Sequence, residues 1–244
     1  MKEDAAALSV AVRDLPVTAP SIYIPVDTTR FYGAQGRIKR AIDLAGAAIL
    51  LFLSVPLFLA IALVIKRTDG GPIFFIQERL GRDGRPFRFY KFRSMKHDSD
   101  DTIHRRFATM FINGDNEGCR RTNGGKSAYK IQRDPRITPV GAWLRRTSLD
   151  ELPQLINVLL GEMSLVGPRP PICYEIDNYR SWHMERLRVT PGITGLWQVS
   201  GRSSVSFDEM VRLDLHYINN WSLLLDLGIL AKTLPVIIRG TGGY

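Results

Sequence analysis

From Ala41 to Ile65 the sequence is almost continuously apolar, with Asp43 near its start and Pro56 at its middle. At about 1.5 Å per residue, a helix over this stretch outruns the roughly 30 Å hydrocarbon core of a bilayer, so its length admits a transmembrane helix. Two features point elsewhere. Basic residues flank both ends, Arg37, Lys39 and Arg40 before and Lys66 and Arg67 after. Cytoplasmic flanks carry the excess of Lys and Arg, so this symmetry suits two ends on one side of the membrane. Pro56 also breaks the backbone ladder mid-segment, and Ser54 stands close enough to take up a freed carbonyl. A re-entrant helix–break–helix over 37–67, with Ser54 and Pro56 at the break, accounts for both. The residues favour it over a spanning helix without excluding the latter.

The remainder of the 244 residues suffices for one good-sized domain or two small ones. A net charge of +9 calls for an anionic partner: nucleic acid, anionic lipid headgroups or a phosphorylated substrate. Cys119 and Cys173 lack CxxC spacing, and His97, His104, His183 and His216 are scattered, so there is no zinc pattern. Reduced thiols suit a cytoplasm-facing protein. Residues 1–36, with Pro16, Pro20 and Pro25, read as a poorly ordered leader, partly docked at most, without the layout of a signal peptide.

Ile73 to Met95 reads as a β-hairpin turning around Arg82-Asp83-Gly84-Arg85. Phe87, Phe89, Lys91 and Arg93 share one face of its second strand, apolar at one end and cationic at the other. On the residues alone the two cations are solvated surface charges. Residues 97–133 form a long polar stretch, expected as a loop that is functional or disordered and that helps to choose a substrate. Tyr174 to Arg188 reads as a polar helix. Pro191 to Arg202 is a loop punctuated by Gly192, Gly195 and Gly201, whose amides can cradle phosphate, with Arg202 supplying a fork. Phe207 to Tyr217 is expected to be helical, with Asp208 and Asp214 exposed or structural. Trp221 to Ile238 is apolar but interrupted by Asp226, Lys232 and Pro235, equally a half-immersed amphipathic helix or a core helix.

Between these lies the stretch from Arg146 to Pro170. A helix is expected from Ser148 to Gly161, since Pro153 is tolerated only in a first turn. Ser148 with Glu151 has the form of a capping box. Leu152, Leu155, Ile156, Leu159 and Leu160 fall on one side, and Asp150, Gln154 and Asn157 on the other. Adjacent Asp150 and Glu151 point differently and suit different tasks. By themselves they read as complements to the helix dipole. Arg145, Arg146 and Arg169 nearby shift the reading toward a carboxylate approaching a phosphate ester.

Several motifs in order then carry a resemblance. Tyr90-Lys91-Phe92-Arg93-Ser94-Met95, Asp134-Pro135-Arg136-Ile137-Thr138-Pro139-Val140-Gly141, Thr147-Ser148-Leu149-Asp150-Glu151-Leu152-Pro153-Gln154-Leu155, Gly161 to Pro170, and Pro191 to Arg202 resemble the bacterial sugar transferases. These are the monotopic polyprenyl-phosphate phosphoglycosyl transferases, and the likeness runs from about Arg37 to the C-terminus. It implies a mostly helical α+β fold: a re-entrant membrane helix at 37–67 and a cytosolic catalytic domain at 68–244, with a β-hairpin and interfacial amphipathic helices. One departure is that Val55 separates Ser54 from Pro56, adjacent in the family, so a shallower bend is expected.

The resemblance further implies transfer of a sugar 1-phosphate from a UDP-sugar to polyprenyl phosphate at the bacterial inner membrane, the first membrane step of exopolysaccharide, capsule or O-antigen assembly. Asp150 is implied as nucleophile and Glu151 as catalytic ligand of Mg²⁺. Lys91, Arg93, Arg169, Gln198 and Arg202 are implied to bind diphosphate or uridine. Likeness to the rhizobial exopolysaccharide-initiating type, including Trp221 to Leu227 and the terminal Gly243-Tyr244, leans toward galactose or glucose. The alternatives are a basic membrane-tethered binding protein and a scaffold of a polysaccharide-export assembly. No nucleic-acid motif supports binding of that kind; self-association stays open.

Overall fold

The computed structural model describes residues 25–97, 99–122, 131, 134–200 and 205–239. They form the expected mostly helical α+β fold. Helix α1 (Thr29–Tyr32) and the long α2 (Ala34–Asp69) precede a hairpin of β1 (Phe74–Leu80) and β2 (Pro86–Phe92). Then come α3 (Thr102–Ile112), α4 (Asn116–Thr122), α5 (Pro139–Arg146), α6 (Gln154–Leu160), β3 (Ser164–Val166), β4 (Gly192–Thr194), α7 (Leu196–Ser200), α8 (Phe207–Asn219) and α9 (Leu223–Arg239). The hairpin is antiparallel, with Phe74 opposite Phe92 and Leu80 opposite Pro86. Strands β3 and β4 pair in parallel.

Helix α2 corrects one expectation. It runs uninterrupted through Pro56, so Ser54 and Pro56 do not end one helix and begin another. Proline removes one N–H, and the Ser54 hydroxyl donates to the Leu51 carbonyl at 3.0 Å, one residue short of the Phe52 carbonyl that Pro56 frees. The turns on either side remain packed, which holds the helical path. Lys39, Asp43, Ala47, Leu51, Ser54, Phe58, Ile61 and Ile65 are buried or half-buried. Their spacing of three and four makes a single stripe along the helix.

That stripe lies on the domain at both ends. Asp43 accepts from the Ser164 hydroxyl at 2.7 Å and the Leu165 amide at 3.0 Å. Lys39 donates to Asp226 at 2.6 Å and to the Val166 carbonyl at 3.0 Å. Toward the other end, Ile61 and Ile65 cluster with Phe92 and Leu144. The remaining faces are apolar and bare: Phe52 is 77% exposed, Leu53 68% and Leu59 67%. A surface this size has no favourable solvent but lipid, and the protein is membrane-associated.

Two other stretches differ from their sequence reading, and a third combines its alternatives. The polar stretch after Lys96 contains α3 and α4, because Phe107, Ala108 and Ile112 recur at helical spacing and are buried. Tyr174 to Arg188 folds as two 3₁₀ segments, Cys173–Asn178 and Ser181–Arg188. Helix α9 takes both of its alternatives. Trp221, just before it, is fully buried and Asp226 nearly so, while Leu224, Leu227 and Leu234 stand exposed. The end of the leader docks here too, Phe31 stacking on Trp221 with ring centroids 4.5 Å apart.

Candidate active site

Asp150 and Glu151 sit on a short 3₁₀ turn, Leu149–Glu151, between α5 and α6. Helix α5 is fixed first. Thr138 caps it, its hydroxyl accepting from the Gly141 amide at 3.0 Å. Gly141 lies so close to the backbone of Ser94 that an added Cβ would stand 1.9 Å from the carbonyl oxygen. The expected capping box does not form. Ser148 has φ of 57° and makes no side-chain cap, and the Glu151 carboxylate turns instead to two cations. A non-glycine residue at positive φ stores strain, and here the strained residue stands two before Asp150.

Glu151 Oε1 accepts from Lys91 Nζ at 3.0 Å and from Arg169 Nη2 at 2.9 Å. Asp150 is 6% exposed, and its Oδ2 lies 4.0 Å from Lys91 Nζ. The helix that follows helps to make this meeting. Gln154 and Asn157, on the side opposite the leucines, are fully buried. Asn157 donates to the Arg88 carbonyl at 2.6 Å and accepts from the Tyr90 amide at 3.2 Å. It thereby pins β2 to α6 and brings the Lys91 side chain to Glu151. The expected strand face is observed, with Phe87 and Phe89 buried beneath Lys91. Burial pulls the ammonium of Lys91 below its ordinary range, against the attraction of Glu151.

Arg169 is mounted between Pro168 and Pro170 in a segment held from both sides. Gly167 N–H donates to the Thr194 carbonyl at 2.9 Å, and Gly192 N–H to the Pro168 carbonyl at 2.8 Å. A Cβ on Gly192 would stand 2.0 Å from the Gly167 nitrogen, so only glycine permits this approach. The Arg169 carbonyl accepts from Arg186 at 3.3 Å. The glycine-rich loop therefore positions Arg169 through its backbone.

Arg145 is a site cation that the candidate set lacked. Its Nε donates to the Ser94 hydroxyl at 3.0 Å. Burial lowers the guanidinium's pKa, and Asp150, Asp134 and Glu151 are the anions that counter it. Its position at the end of α5, five residues before Asp150, was the available signal. Arg93 parts company with Lys91: it lies with Ile65, Thr68, Met95, Thr138 and Val140 around a small cavity near the end of α2. Gln198 donates to the Ile193 carbonyl at 3.2 Å, inside the glycine loop. Arg202 lies outside the described residues. Among the described residues no group of three or more His, Cys, Asp or Glu side chains gathers as a metal cage.

Adjacent carboxylates among three cations, in a domain carried on a lipid-exposed helix, define a membrane-associated enzyme working on phosphorylated substrates. The profile of the family described as "Bacterial sugar transferase" matches residues 34–240. The exopolysaccharide production protein ExoY of Rhizobium meliloti (strain 1021) is 44% identical over 223 residues, 91% of this chain and 95% of that protein. The galactosyl transferase CpsE of Streptococcus agalactiae serotype III (strain NEM316) is 47% identical over 206 residues, 84% of this chain and 43% of that protein. The undecaprenyl-phosphate galactose phosphotransferase of Salmonella typhimurium (strain LT2) is 42% identical over 207 residues, 85% of this chain and 42% of that protein. The chain thus spans nearly all of ExoY and less than half of the other two. It belongs to the bacterial sugar transferase family and is a phosphoglycosyl transferase.

Proposed function

We propose that this protein transfers a hexose 1-phosphate from a UDP-sugar to polyprenyl phosphate in two displacements. A carboxylate oxygen of Asp150 attacks the β-phosphorus, the bond from that phosphorus to the bridging oxygen breaks, and UMP leaves. A phosphate oxygen of the lipid then attacks the same phosphorus and releases Asp150, giving polyprenyl diphosphate hexose. Two easier displacements in place of one are the rationale of covalent catalysis. The observation that carries this reading is a buried Asp150 beside a Glu151 whose single oxygen already holds both Lys91 and Arg169. Those cations, with Arg145, are the groups that turn to the diphosphate as it enters and screen one anion from another. Relatives named for galactose transfer, at 47% and 42% identity, support a hexose, with glucose as the rival.

The donor set suits Mg²⁺, which takes oxygen ligands and often only one or two carboxylates, leaving the rest to substrate phosphates. Glu151 is the residue to hold it. When bound, the ion neutralises charge on the diphosphate oxygens. The membrane placement is re-entrant. A spanning helix puts its ends on opposite faces of the bilayer, and here Lys39 and Asp43 near one end of α2 and Ile61 and Ile65 near the other pack on the same domain. That arrangement supports a catalytic domain on the cytoplasmic face of the inner membrane, next to the acceptor phosphate. The reaction would open the assembly of an exopolysaccharide, capsule or O-antigen repeat.

The test uses purified protein in detergent with Mg²⁺ and either UDP-galactose or UDP-glucose. With acceptor, UMP release is expected, abolished by chelation. Without acceptor, intact-mass analysis should find a hexose phosphate on Asp150. A protein that releases no UMP from either donor and gains no adduct sinks this reading.

A further inference from the structure

The region after Lys96 folds back onto the segment that follows Arg169. Helix α3 packs against Cys173–Asn178. There His104 Nδ1 lies 2.6 Å from the Tyr174 hydroxyl, the two rings edge to face with centroids 6.3 Å apart. Arg105, held by Asp101 at 2.9 Å, stacks its guanidinium 4.5 Å above the Tyr174 ring. The peptide from Arg169 to Tyr174 is pinned along the hairpin edge. Leu80 N–H donates to the Pro171 carbonyl at 3.0 Å, Arg79 Nη1 donates to the Pro170 carbonyl at 2.7 Å, and Ile172 bridges to Arg79. Five residues reach at most about 17 Å, so Tyr174 lies within that reach of Arg169 along the chain.

The two groups also share a cation. The cations facing the imidazole are Arg79, Arg136 and Arg145, with Asp134 opposing them, and Arg145 is also among the cations that act on Asp150 and Glu151. Burial pulls His104 down to about 4 and pushes Tyr174 up to about 12. Both are therefore uncharged at neutral pH. Among the described residues the imidazole's Nε2 makes no hydrogen bond. Either tautomer leaves it one to give: an N–H when the phenol donates to Nδ1, a lone pair when Nδ1–H donates to the phenol. A neutral, half-buried pair that gives and takes hydrogen bonds beside an aromatic ring suits sugar hydroxyls. The diphosphate has three cations of its own.

We infer that His104 and Tyr174 form the wall of the donor site that reads the hydroxyl pattern of the hexose. This rests on the phosphoglycosyl transfer proposed above. A site built to bond a hydroxyl discriminates strongly against a donor that presents it differently, because its polar groups are then left unpaired.

The test compares wild type with His104→Ala, His104→Gln and Tyr174→Phe, the last removing only the hydroxyl and keeping the packing. For each, kcat/KM is measured with UDP-galactose and UDP-glucose, which differ at one hydroxyl, and UMP is titrated as an inhibitor. His104→Ala and Tyr174→Phe are expected to lower kcat/KM for the better donor by about tenfold or more. The ratio between donors should shrink accordingly, with inhibition by UMP unchanged. His104→Gln, which keeps a donor and an acceptor, should recover part of the ratio. A ratio that stays constant in all three variants overturns the inference and leaves the pair as packing. UMP inhibition weakening in step with catalysis also overturns it, since the pair would then read the nucleotide. Wild type inert with both donors overturns the proposed reaction itself, and this inference with it.

Discussion

Two buried ionic groups in this protein are built on opposite plans. Arg186 and Asp214 form a closed pair, 3% and 1% exposed at their side chains. Burial pushes the Asp214 carboxyl up and the guanidinium pulls it back. Around Glu151 the bookkeeping is left open. One carboxylate oxygen serves two cations, a third cation acts on Asp150, and among the described residues the other carboxylate within ion-pair distance of Lys91 is Asp150 itself, at 4.0 Å. A closed pair holds a fold together, because breaking it strands a charge in low dielectric. A cluster short of anions is poised for one that arrives from outside. The two plans touch where Arg186 donates to the carbonyl of Arg169.

The sharpest way to break this contrast is to remove one acid from each. Asp150→Asn keeps shape and hydrogen bonding but loses the nucleophile, and turnover should fall by at least about 10³-fold. Its unfolding midpoint should barely move. Asp214→Ala should do the reverse: about 3–5 kcal/mol of stability lost, read by chemical denaturation in detergent. Any fall in its turnover per folded molecule would come through Arg169. If Asp150→Asn unfolds the protein, or Asp214→Ala leaves stability intact, the two groups are not what their geometry suggests.

A smaller effect separates charge from packing inside the open cluster. Lys91→Met fills similar space without the ammonium and should lower kcat/KM by about 10²-fold, the scale of losing one donor to transition-state charge. Arg169 still holds Glu151 in that variant, so stability should change far less than in Asp214→Ala. An equal loss for Lys91→Met and for a conservative Lys91→Arg would argue that position matters more than charge.

How much of this was readable beforehand follows the same division. Local signals were plain: the hairpin around Arg82-Asp83-Gly84-Arg85, the stop of α6 at Gly161, and Lys91 on the face that carries Phe87 and Phe89. What the chain hid depends on partners distant in sequence. Asn157 falls on the polar side of its helix, and the partners that bury it, Arg88 and Tyr90, are more than sixty residues away. Ser148 and Glu151 match a capping box in spacing, but a local cap loses to two buried cations competing for the same carboxylate. Asp43 and Asp226 looked like interruptions of apolar helices, yet they fasten α2 and α9 to β3 through Ser164 and Lys39. Polar composition concealed α3, whose inward face is carried by Phe107, Ala108 and Ile112 while Ile103 stands exposed.

The smallest prediction concerns a third buried polar group, and it asks whether a closed group always behaves as structure. His183 is fully buried against Trp182, Tyr179 and Phe207, with Nε2 3.1 Å from one Asp208 oxygen while Arg180 donates to the other. Burial is the largest influence and lowers its pKa from 6.5 to about 4, although Asp208 pulls the other way. The sign follows from the proton count. Between about 6.5 and 4 the unfolded chain binds a proton at this position and the folded chain does not, so stability present above 6.5 drains as pH falls through that window. The slope contributed by one such site is at most about 1.4 kcal/mol per pH unit. His183→Gln, which cannot titrate, should flatten the stability profile between pH 6.5 and 4 relative to wild type, even if it is less stable at pH 7. A variant whose profile runs parallel to wild type would mean that His183 is already protonated in the fold. The His183–Asp208 contact would then be an ion pair, like that of Arg186 with Asp214, and the distinction between closed groups and the open one would rest on Glu151 alone.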